Sequence, residues 1–179
     1  MEKEKKINSN KFREGNISLI LDSYDDIFSD FDPRAYNVRA LSDDFLLECK
    51  KATVDKSQKI ELRLLVPKKD RKYSDEAKIK KRLKEHFKKH FKEKEKEIQK
   101  IRAAGIFWFF LGAILMTFSV FLLKYQGFLF RFLFTIAEPA GWFFFWEGLN
   151  KIFRDVKEKK PDYNFYKKLS NSDIYFLDY

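Results

Sequence analysis

The sequence predicts an α+β membrane protein, in which a two-helix transmembrane hairpin carries a small cytosolic α/β domain built from the N-terminal region and the C-terminal tail. Three observations lead there. Ala103 to Leu123 is a run of 21 residues without a charge. A second, mostly apolar run, Gly127 to Leu149, follows after only Lys124, Tyr125 and Gln126. Outside these runs, short apolar stretches with the period of strands alternate with capped helical segments.

The first run decides the class. As a helix, 21 residues reach about 31 Å, close to the hydrocarbon thickness of a bilayer. It is apolar on every side, and the rest of the chain is too small to bury such a helix. The second run carries Arg131, Glu138 and Glu147. Arg131 and Glu147 lie near its ends, where long side chains reach the headgroups. Glu138 lies mid-run, so a re-entrant or surface-lying amphipathic helix stays open as the alternative. Trp142, Trp146 and Phe143–Phe145 suit a helix approaching an interface.

Charge orients the hairpin. The 179-residue chain has a net charge of +10. Up to Ala77 the signs balance, with 16 Lys/Arg against 16 Asp/Glu, whereas Lys78 to Arg102 holds 12 against 4. Lys151, Arg154, Lys157, Lys159 and Lys160 follow the second run, while the connecting turn offers mainly Lys124. Excess cations at both outer flanks place both termini in the cytoplasm. The expected location is the cell membrane, multi-pass. A turn this short leaves almost nothing outside for an external ligand.

The soluble elements follow in order. Residues 1–14 are charged and read as a disordered N-terminus. The cytosolic α/β domain spans 15–76. Within it Asn16–Leu21 and Lys59–Val66 read as strands, the second with Ile60, Leu62, Leu64 and Val66 on one face. Between them Ser42 reads as the N-cap of a helix to about Thr53, with Asp43 and Asp44 at its positive end and Leu41 and Leu46 in staple positions. Strand–helix–strand favours a parallel pair. Ser74 reads as the cap of a third helix, and 77–102 as a basic juxtamembrane helix able to run on into the first span. Its thin seam of Leu83, Phe87, Phe91, Ile98 and Ile101 suits a solvated helix lying on its own domain, or an oligomer contact. The spans are 103–123 and 127–149, joined by an external turn at 124–126. In the tail, 150–179, Tyr163, Phe165, Tyr166, Leu169 and Ile174–Leu177 are too apolar for water, and 173–178 reads as a short strand. About sixty residues make a marginal core alone, so the tail is expected to pack on the domain or on a neighbouring copy.

The densest constellation of chemistry is DSYDDIFSDFDPRAYNVRALSDDF, from Asp22 to Phe45. Asp22, Asp25, Asp26, Asp30 and Asp32, with Arg34 and Arg39, are candidates for binding a ligand or partner. Such carboxylates can hold Mg²⁺ or Ca²⁺, but the spacing of an EF-hand is absent. The interleaved Tyr24, Ile27, Phe28, Phe31 and Tyr36 suit a loop fixed on a core, its aspartates capping turns and pairing with the arginines. The pattern DDIFSDFDPR-Y--RALS-DFL, Asp25 to Leu46, resembles a motif of uncharacterised prokaryotic membrane proteins with two spans. The resemblance implies the membrane architecture and nothing catalytic.

Other candidates are sparser. Arg131 and Glu138 share a helix face inside the second run, and ionisable groups there are functional candidates. Pro139 can kink that helix. Ala137 with Gly141, and Gly112, offer close-approach points. Lys96, Lys100 and Arg102 are placed to meet anionic headgroups. His86 and His90 have the spacing of two zinc ligands but stand among lysines. Cys49 is the lone cysteine, which excludes an internal disulfide. No catalytic motif, metal set or cofactor signature appears, and no nucleic-acid-binding fold or stacking platform. The expected partners are the lipid bilayer, further copies of the chain, and a cytosolic protein or small ligand. The expected function is that of an oligomer whose cytosolic domain senses a ligand or partner and gates or perturbs the membrane. The alternative is an anchor that tethers a partner-binding domain. A Mg²⁺-dependent enzyme at the lipid face is a third reading.

Overall fold

The computed structural model describes residues 16–54, 56 and 60–179. The segment 1–14, residue 15 and the Lys59 start of the second strand lie outside the described residues. The chain forms two compact units. One joins Met1–Phe91 with Asn164–Tyr179, and the other is Lys92–Tyr163.

The first unit is built on a three-stranded sheet. Strands β1 (Asn16–Ile20), β2 (Glu61–Val66) and β3 (Asp173–Asp178) lie in that order, and both pairings are parallel. The register aligns Ile17 with Leu62 and Ile174, and Leu19 with Leu64 and Phe176. Because side chains alternate across a strand, this register collects one apolar face. Ile60, Leu62, Leu64 and Val66 are all buried on it. The last strand supplies the second neighbour of β2, so the C-terminal tail completes the sheet.

The helical segments of this unit pack on that buried face. The core joins Phe45 and Cys49 of helix α1 (Asp43–Thr53), Ile79, Leu83 and Phe87 of α2 (Tyr73–Leu122), and Phe165 and Leu169 of α4 (Val156–Ser170). Topology explains the one-sidedness. Right-handed crossovers in a 1-2-3 parallel sheet put the helices that cover it on one side, where α1, the start of α2 and the end of α4 are packed. The other face carries Arg63, Leu65 and Leu177, with Ile20 66% and Tyr175 44% exposed. A parallel sheet with apolar residues exposed on one face among the described residues is uncommon.

Helix starts and the tail differ from the sequence expectation. Ser42 is the N-cap of α1, but its side chain makes no capping hydrogen bond. α2 begins at Tyr73, and the N–H groups of Asp75 and Glu76 donate to the Lys72 carbonyl at 3.0 Å, so Ser74 lies inside the first turn and does not cap it. α2 then runs unbroken for 50 residues, from the α/β unit into the apolar stretch. Residues 156–170 form α4, reached from α3 (Phe128–Asn150) through a π-helical turn at Lys151–Asp155. Pro161 and the lysines around it hid this helix, whose buried residues are Val156, Phe165 and Leu169.

The second unit is a helical hairpin. Its turn is made by Gly127 at φ +134°, a conformation that L side chains rarely adopt. The helices meet through glycines seven residues apart. On α2, Ile98, Gly105, Gly112 and Ser119 are buried in strict heptad spacing, and on α3, Gly141 and Gly148. A Cβ on Gly112 would strike the Phe145 backbone nitrogen and lie 2.7 Å from the Gly141 oxygen. One on Gly148 would strike the Phe109 nitrogen and lie 2.7 Å from the Gly105 oxygen. Backbones this close leave no room for a side chain, and a seven-residue period is that of left-handed packing. α3 continues through Pro139 without ending. Two helices, Tyr73–Leu122 and Phe128–Ser170, are long and apolar enough to cross a membrane.

Candidate functional site

The candidate loop leaves the carboxyl end of β1, the edge at which α/β sheets commonly place their ligands. It opens with a 3₁₀ turn at Tyr24–Ile27, capped by Ser23, whose hydroxyl accepts from the Asp25 N–H at 3.1 Å. Asp26 completes the capping box by accepting from the N–H groups of Asp22 (2.7 Å) and Ser23 (3.2 Å). Tyr24 and Ile27 are buried, which explains the apolar residues between the acids. A bridge between Phe28 and Leu41 closes the loop, with Ser29 N–H donating to the Ala40 carbonyl at 2.9 Å.

Two arginines hold its shape. Arg39 meets Asp25 at 2.5 Å, donates twice to the Ser29 carbonyl (3.1 and 3.3 Å), and lies 5.6 Å above the Phe28 ring. Arg34 grips Asp32 with Nε and Nη2, both at 2.8 Å, while the Ala40 N–H donates to the same carboxylate at 2.6 Å. These hydrogen bonds hold the Asp32 carboxyl well below the usual carboxylate range. Asp22 and Asp30 are exposed, and Asp30 makes no ion pair among the described residues. The five aspartates therefore do not converge. Among the described residues no group of three His, Cys, Asp or Glu side chains is arranged to hold a metal ion.

The loop instead forms one wall of a basic cleft. Ala35 and Asn37 face Lys78, Lys81, Arg82 and Glu85 of α2 across a volume of about 490 Å³. The Arg82 Nε donates to the Arg39 carbonyl at 2.9 Å, which ties the helix to the loop. The sequence pointed to Arg34 and Arg39 of the loop, neither of which lines this cleft, and not to Lys78, Lys81 and Arg82, which do. The seam of Leu83 and Phe87 was legible there, but the sequence expectation did not sort the lysines by face. Carrying that seam back to Ile79 sets Lys78, Lys81 and Arg82 off the buried side.

The remaining candidates lie elsewhere. Lys96, Lys100 and Arg102 are exposed on the hairpin unit, where Glu97 receives Lys94 and Lys159, each at 3.0 Å. Arg131 and Glu138 are exposed on α3, on a face other than that of Ala137, Gly141 and Gly148, and neither makes an ion pair among the described residues. In the α/β unit, the His86 and His90 rings lie 4.3 Å apart, and His90 stacks on Tyr166. Burial, helped by neighbouring cations, pushes His86 down to about 4. Cys49 is wholly buried, and burial pushes its thiol up to about 12.

Comparison with family models, curated proteins and solved structures finds no match to this chain.

Proposed function

We propose that this chain is an integral membrane protein whose hairpin assembles with other copies of itself, and whose cytosolic α/β unit senses a ligand or partner and gates or perturbs the bilayer. The observation that carries this reading is the outward position of Glu138. A carboxylate on the exposed side of an apolar helix is costly in hydrocarbon, and a partner from another hairpin, such as Arg131 of another copy, offsets that cost. Glu138 and Arg131 then lie at the subunit contact or line a polar path. Lys96, Lys100 and Arg102 meet anionic headgroups. The basic flanks support a location in the cell membrane with both termini in the cytoplasm. The sheet supports the same-side arrangement independently. β2 precedes the hairpin and β3 follows it, so both hairpin ends return to one sheet.

The sensing role belongs to the Asp22–Arg39 loop. Its arginines bind it to itself, and Arg82 of α2 binds it through the Arg39 carbonyl, so a ligand at the cleft acts on the helix that leads into the first span. The deciding experiment is the mass of the intact protein in lipid nanodiscs, followed by conductance. A closed ring of several copies, with conductance or assembly altered by Glu138→Leu and insertion unchanged, is the expected result. A monomer, or normal assembly and flux in Glu138→Leu, overturns it.

The second reading is an anchor that tethers a partner-binding domain. The exposure of Ile20 and Tyr175 on one face of the sheet favours it, because a cytosolic protein seated there would complete the usual covering of a parallel sheet. A monomeric protein that captures one specific cytosolic protein, and loses it in Ile20→Lys, would establish this reading in place of the first.

A further inference from the structure

We infer that the cleft between the Ala35–Asn37 turn and α2 binds a small organic phosphate by its doubly charged phosphoryl group. The inference rests on the ligand-sensing reading above and names the class of ligand.

Charge is the first argument. The cleft gathers Lys78, Lys81 and Arg82 against the single carboxylate of Glu85, although the chain up to Ala77 carries no net charge. The surplus of two cations matches a phosphomonoester, which carries about −1.5 to −2 at neutral pH.

Preorganisation is the second. Arg82 is held by its Nε at the Arg39 carbonyl, 2.9 Å away. Arg39 is itself fixed by Asp25 and by the Ser29 carbonyl. The two terminal nitrogens of Arg82 have no partner among the described residues, so a positioned guanidinium presents free donors to the cleft. Such a fork suits phosphate oxygens, and holding it in place beforehand lowers the entropy lost on binding. The two lysines are less committed. Lys81 lies 4.0 Å from Glu85, and Lys78 pairs with Asp75 at 3.1 Å. Both amines are exposed, and exposed pairs of this kind hold little energy, so both can turn to an anion. The Asn37 amide adds a neutral donor.

Size and lining set the class. At about 490 Å³ the cleft falls in the range of small-ligand sites and exceeds what a bare phosphate fills. Among the described residues no aromatic ring lines it, so recognition concentrates on the phosphoryl group, with no platform for a stacked base. One short turn and two turns of helix make no extended strip for a polymer. The same chemistry occurs in soluble phosphomonoesters and in phosphomonoester lipid headgroups.

The test uses the intact protein in phosphatidylcholine nanodiscs, titrated calorimetrically with AMP, inorganic phosphate and polyglutamate. Saturable, salt-sensitive binding of AMP at one site per chain is expected. The double variant Lys81→Gln/Arg82→Gln is expected to weaken it by at least about tenfold, as loss of two charge-assisted contacts implies. Unchanged helical dichroism and an unreactive Cys49 in that variant show that it is folded. Adding phosphatidic acid to the discs separates the sources. A matching loss of AMP affinity in the native cleft alone assigns the site to the headgroup, and unchanged affinity assigns it to a soluble phosphate. Absence of saturable AMP binding, equal binding in the double variant, or binding of polyglutamate alone overturns the inference. Conductance keeps it separate from the sensing reading. A site that binds AMP without any effect on flux or assembly sinks the sensing role and leaves the site standing. Flux that changes in Arg39→Ala while no phosphate binds does the reverse.

Discussion

Arg71 and Glu76 form a two-point ion pair inside the α/β unit, Nε to Oε1 at 2.8 Å and Nη2 to Oε2 at 3.0 Å. The Tyr24 hydroxyl donates to the same Oε1 at 2.9 Å and accepts from the Lys72 N–H, also at 2.9 Å. Arg71 further donates to the Phe176 carbonyl at 3.3 Å. The candidate loop, the start of α2 and the last strand thus meet at one carboxylate. Burial alone would raise the Glu76 carboxyl, but the hydrogen bonds from Arg71 and Tyr24 outweigh it and hold it below its ordinary value.

Removing that carboxylate leaves a mostly buried guanidinium without its partner. Glu76→Ala is expected to destabilise the unit by about 3–5 kcal/mol, and Tyr24→Phe by about 1 kcal/mol. Chemical denaturation of the intact protein in detergent, followed by near-ultraviolet dichroism, measures both. Equal midpoints for Glu76→Ala and the native chain would refute the role given to this pair.

The β2 pattern Ile60, Leu62, Leu64, Val66 announced its buried face, and Ser42 with two aspartates announced α1. Glu76 announced nothing. In sequence it is one more acid in a helix's first turn, and only Tyr24 and Arg71, brought by the fold, make it a buried junction. The same holds for the hairpin. Hydropathy marks its two helices, whereas the pairing of Gly105 with Gly148 depends on which faces meet. The aspartate loop was readable as a loop fixed on the core, but the cleft it shares with α2 was not, because one wall comes from a helix some forty residues further on.

His86 sets a pH dependence. Its folded-state value, pushed down to about 4, lies below the unfolded 6.5, so the unfolded chain takes up the proton first. Stability from this group is full above pH 6.5 and is lost as pH falls toward 4, with a limiting slope of about 1.4 kcal/mol per pH unit that partial exposure reduces. Glu76, starting from 4.5, adds its loss only at the lower end. His86→Leu is expected to flatten the stability profile between pH 6.5 and 5. An unchanged slope would show that the imidazole does not titrate in that window.

Cys49 serves as a reporter of opening. A buried thiol pushed up to about 12 offers almost no thiolate at neutral pH. Maleimide labelling of the native protein is expected to proceed only as fast as the unit unfolds, and to speed up in Glu76→Ala. Immediate stoichiometric labelling would contradict the burial of this residue.

The glycine contacts of the hairpin allow no side chain. Gly112→Val and Gly148→Val are each expected to separate the helices and destabilise the hairpin by at least about 1–3 kcal/mol. Gly127→Ala is also expected to destabilise it, through strain at positive φ. Steric trapping or thermal unfolding in detergent measures the loss, and a native-like transition for Gly112→Val would contradict the packing.

The place of β3 governs the order in which this protein can be made. β2 gains its second neighbour from Asp173–Asp178, which are synthesised after both long helices. Until then Leu62 and Leu64 lack half of their cover, and the α/β unit is an unfinished layer with an open edge. Long-range parallel pairing is slow to close and aggregation-prone while open. The domain therefore matures last, only once the hairpin has brought its two ends back together. Loss of Asp173–Asp178 removes a structural strand, so the integrity of the α/β unit reports that synthesis has passed through the hairpin and beyond it.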